Sequence, residues 1–105
     1  MKNILVIGSS NTDMVIQVEN IPLPGQTVLG GEFSTFAGGK GANQAVAAKR
    51  SGAEVNFLAS LGNDDLGRSA LSGFQKEGIN TESIQCIDGL SSGVALIFVN
   101  GEGEN

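Results

Sequence analysis

Four short stretches of this sequence carry residue types that could do chemistry. The first is Gly8-Ser9-Ser10-Asn11-Thr12-Asp13, directly after an apolar run. If the backbone stays extended there, Asn11 and Asp13 lie on one side, because strand side chains alternate with period two. A carboxylate accepts from two neighbouring hydroxyls, and an amide both donates and accepts, so the pair matches a vicinal diol. The alternative is a turn in which Asn and Asp bond their own backbone. The second stretch is Ala37-Gly38-Gly39-Lys40-Gly41-Ala42-Asn43-Gln44. Its glycines allow a ligand to approach the backbone, and free N–H groups at a helix start attract oxygens. Lys40 and Asn43, three apart, share a face of the first turn. The alternative here is a flexible glycine turn ahead of a helix.

Neither common nucleotide motif fits that second stretch. A Walker loop needs glycine where Ser34 stands and Ser or Thr where Gly41 stands, and the dinucleotide fingerprint would need its third glycine at Gln44. The third stretch, Gly62-Asn63-Asp64-Asp65-Leu66-Gly67, offers two adjacent acids. A metal site is one reading, but acids at a helix start cap free N–H groups and favour the positive end of the dipole. Capping is therefore the expectation. The fourth, Asn100-Gly101-Glu102-Gly103-Glu104-Asn105, reads as an exposed loop with solvated acids.

Composition narrows the chemistry further. The net charge is −5, and the six basic residues include only one adjacent pair, Lys49-Arg50, so nucleic acid is not expected as a partner. The sequence has no His, which removes the commonest general base and metal ligand. A single cysteine, Cys86, allows no internal disulfide and no structural zinc, and suits a reducing cytoplasm. The longest apolar runs, Ile4–Ile7 and Val94–Val99, are too short to span a bilayer, and Met1-Lys2-Asn3 does not look like a signal leader. Carboxylates, amides, hydroxyls, backbone groups and a few lysines are left, a set suited to polyols.

The elements that must hold these groups follow from the apolar patterning. Asn3–Ile7 and Val55–Ser60 read as buried parallel strands. A helix is expected from about Ala42 to Arg50, stopped by Ser51-Gly52 and lined with alanines that let it lie close to a sheet. A second helix follows Asp64-Asp65, with Leu66, Ala70, Leu71 and Phe74 on one stripe, and ends at Gly78. Ser83–Ile87 and Gly93–Val99 are further strands, the latter apolar on both faces and so expected to be covered on both. This strand–helix alternation predicts right-handed βαβ units and an α/β sheet. Met14–Val18, Thr27–Leu29 and Glu32–Phe36 fall outside it and suggest a separate small sheet, to which Val94–Val99 adds.

These motifs resemble the ribokinase branch of the ribokinase/PfkB family of carbohydrate kinases. The likeness rests on Gly8–Asp13, Pro24-Gly25-Gln26-Thr27, Gly38-Gly39-Lys40-Gly41-Ala42-Asn43-Gln44-Ala45, Gly62-x-Asp64-x-x-Gly67, Glu77-Gly78-Ile79, Ser92-Gly93-Val94-Ala95 and Asn100–Asn105, in that order. Gln26 departs from the Glu usual in the family. The resemblance implies a ribokinase-like, Rossmann-type three-layer α/β sandwich, present in part, with an inserted β-sheet lid made by about residues 14–36 and 94–99. It assigns Asn11, Thr12, Asp13, Gly39, Lys40, Gly41, Ala42 and Asn43 to the sugar site. It implies ATP-dependent phosphorylation of D-ribose to D-ribose 5-phosphate with Mg²⁺ and K⁺, by a cytoplasmic homodimer joined through its lids. The family's ATP-binding carboxyl-terminal part, with its catalytic Asp, is expected outside these 105 residues, which by themselves should be inactive. The alternatives are a non-catalytic sugar-binding or self-associating module and a related kinase for another sugar or nucleoside.

Overall fold

The computed structural model describes residues 2–105, as eight elements in two three-stranded sheets. The strands are β1 (Asn3–Ile7), β2 (Asn11–Gln17), β3 (Phe33–Gly38), β4 (Glu54–Gly62), β5 (Ile84–Ile87) and β6 (Gly93–Val99). The helices are α1 (Lys40–Arg50) and α2 (Asp65–Lys76). The body sheet runs β1-β4-β5, all parallel, as strand–helix–strand connections require. The second sheet, made of strands expected to form a lid, runs β3-β2-β6, with β2 antiparallel to β3 and parallel to β6.

The core lies between the body sheet and the two helices. Val55, Phe57 and Ala59 alternate inward along β4 and meet Val6, Ala42, Ala45, Phe74 and Ile79. The Phe57 ring, fully buried, meets Phe74 edge-on at 5.3 Å between centroids. Alanines on the inner side of α1 let that helix close on the sheet without a gap. Lys49 and Arg50 place positive charge in its last turn, where the dipole favours it. Gly52 and Gly78, at φ 105° and 84°, take the left-handed conformation that ends each helix.

Several expectations change in the folded chain. Thr27–Leu29 is not a strand: Leu29 is 94% exposed, and the amide of Gly31 reaches the Gln17 carbonyl in its place. β2 begins at Asn11 because Asn11, Thr12 and Asp13 are paired on both sides, to β3 and to β6. α1 begins two residues earlier than its alanine pattern suggests, straight after Gly39. Both helices lie on one face of the body sheet, so Leu5, Ile7 and Leu58 on the opposite face of β1 and β4 are exposed. The expectation of strands buried on both faces fails for the same reason. β6 likewise leaves Val94, Leu96 and Phe98 exposed, Leu96 at 72%, because no element of the described residues packs on that side of the second sheet.

Candidate sugar-binding site

The two glycine-rich stretches meet. Gly8 ends β1, its amide bonded to the Leu58 carbonyl at 3.2 Å, and the chain then turns into β2. Gly41, in the first turn of α1, faces that turn so closely that a Cβ on it would lie 2.7 Å from Gly8 Cα and 2.8 Å from Ser9 N. The Ala42 amide donates to the Ser9 carbonyl at 3.0 Å, tying the helix start to the strand connection. Gly39 takes φ +98°, and a Cβ there would lie 2.6 Å from Ser9 O, so two constraints select glycine at this position.

The extended backbone puts Asn11 and Asp13 on one face of the β3-β2-β6 sheet. Asn11 is opposite Gly38 on one neighbour and Gly93 on the other, and Asp13 is opposite Phe36 and Ala95. Glycine makes room for both polar groups. The Asp13 carboxylate fills the place where a Gly38 side chain would go, with Oδ1 2.5 Å from that Cβ position, and the Asn11 amide does the same at Gly93. Across the junction, Lys40 and Asn43 project from the exposed side of the first turn of α1. No side chain caps this helix start, and the Lys40 and Gly41 amides have no hydrogen-bond partner among the described residues. The Asp13 carboxylate and the Lys40 ammonium form no ion pair there either. Among the described residues no buried side-chain nitrogen or oxygen lacks a partner, so the side-chain polar atoms here that make no hydrogen bond reach solvent.

A cavity of about 700 Å³ lies between β2, β3 and the two helices. Asn11, Thr12 and Asn43 line its mouth, and Val46, Ala70 and Phe74 belong to its apolar wall. Thr12 alternates to the opposite face of the sheet from Asn11 and Asp13, yet Thr12 and Asn11 both line this cavity, whereas Asp13, Gly39, Lys40 and Gly41 do not. Ala42 is buried in the core, with its amide already used by Ser9, and contributes placement of the helix start. At the far end of the cavity Arg50 donates to Glu77 through Nε at 3.1 Å and through Nη2, bracing α1 against α2. The Arg50 hydrogen bonds hold the Glu77 carboxyl below its ordinary range, and the Glu77 carboxylate raises the guanidinium in turn.

Asp64 caps α2 as its position suggests, accepting from the Gly67 amide at 2.8 Å. Its carboxyl is held low by the Ser92 N–H, then the Ser92 hydroxyl and the Gly67 N–H. The link to Ser92 was not legible from spacing, since 28 residues separate the partners. No group of three or more His, Cys, Asp or Glu side chains comes together among the described residues. No helix among them is long and apolar enough to cross a membrane.

The sequence profile of the pfkB family carbohydrate kinases matches residues 1–105. The chain belongs to this family. This PfkB chain is 44% identical over 105 residues to the ribokinase of Bacillus subtilis and 44% over 111 residues to that of Schizosaccharomyces pombe. Those alignments cover 100% of the PfkB chain but only 36% and 35% of the two relatives. The chain thus spans about a third of their length. Among solved structures, the Arabidopsis thaliana ribokinase complexed with ribose and ATP superposes with a TM-score of 0.88 at 28% identity, over 99% of this chain and 34% of that one. The Cryptococcus neoformans ribokinase in complex with ADP also gives 0.88, at 32% identity over 100% of this chain and 33% of that one.

Proposed function

We propose that this chain is the sugar-binding and lid segment of a ribokinase, which transfers the γ-phosphoryl group of ATP to D-ribose and yields D-ribose 5-phosphate. The observation that carries the reading is the junction of Gly8–Gly41 and Ser9–Ala42, which brings the start of the strand holding Asn11 and Asp13 to the helix start holding Lys40 and Asn43. Asp13 accepts from adjacent sugar hydroxyls, Asn11 and Asn43 donate and accept, and the helix start receives an oxygen. Phosphoryl transfer depends mainly on positioning and electrostatic stabilisation, and these residues supply the positioning of the acceptor. ATP, the catalytic base and K⁺ are assigned to the remaining two-thirds of the relatives' length. Mg²⁺ is assigned there too. The lid sheet closes over the sugar and excludes water, and its open apolar face pairs with a second lid in a homodimer. The single cysteine suits a cytoplasmic location.

Titration of the ¹⁵N-labelled chain with D-ribose tests the reading. The expected result is saturable shifts confined to the amides of residues 11–13 and 39–43. Shifts elsewhere, or none at millimolar sugar, would overturn it. A second reading has its own support: a deoxyribokinase of Salmonella typhi is 38% identical over 98% of this chain. Tighter binding of 2-deoxy-D-ribose than of D-ribose in the same titration would favour that substrate.

A further inference from the structure

The chain passes between its two sheets three times: from β1 to β2, from β3 to α1, and from β5 to β6. The first two passages hold each other, through the Ala42 amide on the Ser9 carbonyl and the Gly8–Gly41 contact. The third is held by Asp64. Its Oδ2 accepts the Ser92 N–H at 2.8 Å, and its Oδ1 accepts the Ser92 hydroxyl at 2.7 Å. Ser92 Oγ in turn accepts the Gly62 N–H at 3.0 Å, and Ser92 is buried. Gly62 and Gly67 both crowd this knot, since a Cβ at Gly62 would collide with Ser92 N and one at Gly67 with the Gly62 carbonyl. One residue further on, Gly93 is paired with Asn11, and the Asn11 amide fills the space a Gly93 side chain would need.

We propose that Asp64 is a positioning residue for the sugar site: by clamping Ser92 it fixes where β6 enters the lid sheet, and so holds Gly93 beneath Asn11. The functional half of this statement rests on the sugar-binding reading above; the clamp itself does not. Helix capping alone uses one carboxylate oxygen and leaves Oδ2 without a task. In this structure Oδ2 is directed to the other sheet's entry strand. A carboxylate suits the clamp because it accepts at both oxygens, whereas an amide turns a donor toward one of the two donors of Ser92.

Asp64→Asn and Ser92→Ala separate the clamp from the cap. Asparagine caps a helix about as well as aspartate, so α2 keeps its start, and Ser92→Ala does not touch the cap. Backbone amide exchange read by NMR on the 105-residue chain is the assay. In both variants the amides of Gly93–Leu96 and Asn11–Asp13 are expected to exchange about tenfold faster or more, with α2 protected as before. Faster exchange confined to the first turn of α2, or no change in β2 and β6, overturns the clamp. A parallel D-ribose titration separates the two ideas. If the unmodified chain ignores D-ribose while both variants loosen β6, the sugar reading fails and the clamp stands. If the chain binds D-ribose and the variants bind it as tightly despite a loosened β6, the positioning role fails.

Discussion

Replacing Gly41 by alanine sets two known effects against each other, and the geometry decides between them. Alanine in a helix is favoured over glycine by up to about 1 kcal/mol, and by less in the first turn. The added methyl, however, meets Gly8 Cα at 2.7 Å and the Gly8 carbonyl carbon and Ser9 N at 2.8 Å, all backbone atoms. None can swing aside like the end of a side chain. The helix start must back away until the contact reaches the 3.4 Å at which ordinary packing begins. Overpacking of this kind costs about 1–3 kcal/mol, so Gly41→Ala should be destabilised by about 1–2 kcal/mol net. Gly73 is the internal control: it lies in α2, and a Cβ there meets nothing within 4 Å. Gly73→Ala should be stabilised by about 0.5–1 kcal/mol. Urea unfolding followed by circular dichroism measures both. The Gly41 variant should also lose D-ribose binding, because Lys40 and Asn43 move with the helix start, while the Gly73 variant keeps it. Two variants that shift stability in the same direction would refute the close-contact argument, and intact binding in Gly41→Ala would refute the site.

Asp13→Ala should weaken D-ribose binding by about 2–4 kcal/mol, the value of a charge-assisted pair of hydrogen bonds, and calorimetry showing unchanged affinity removes Asp13 from the site. The chain should be dimeric through the open lid face, where Leu96 and Phe98 are exposed beside an unpaired strand edge. Light scattering should report two chains, and one chain after Leu96→Ser with Phe98→Ser; a monomeric parent contradicts this. Residues 1–105 mixed with D-ribose, ATP, Mg²⁺ and K⁺ should form no D-ribose 5-phosphate in a coupled assay, and turnover above a no-protein blank refutes the division of labour proposed. Asp64 has a folded pKa below its ordinary 3.8, so its stabilising contribution is complete above that value and is lost as pH falls through the lower folded one. Acid unfolding of Asp64→Asn should therefore be less steep below the ordinary carboxylate value, and an unchanged profile contradicts the stated cause.

Local pattern alone was enough for much of this protein. Apolar runs bounded by glycine placed β1, β4 and β6, alanine spacing and a Ser-Gly stop placed α1, and the Asp64-Asp65 pair marked the start of α2. These signals are legible because a strand or helix repeats its buried residue every second or every third to fourth position, whatever else the chain does. The polar candidates were legible too, as residue types, and so was the same-side placement of Asn11 and Asp13 once an extended backbone was granted. What spacing left open was whether either stretch was more than a turn. Only the tertiary structure brought residues 8–13 and 38–43 together, since that juxtaposition depends on glycine backbones meeting across about thirty residues of chain. It also decided which apolar residues are covered. Leu5, Ile7, Leu58, Leu96 and Phe98 have the same composition as core residues, and their exposure follows from where the helices pack. The bond from Asp64 to Ser92 is of the same kind: a helix cap is written in four consecutive residues, but a carboxylate's second oxygen takes its partner from whichever strand the fold delivers.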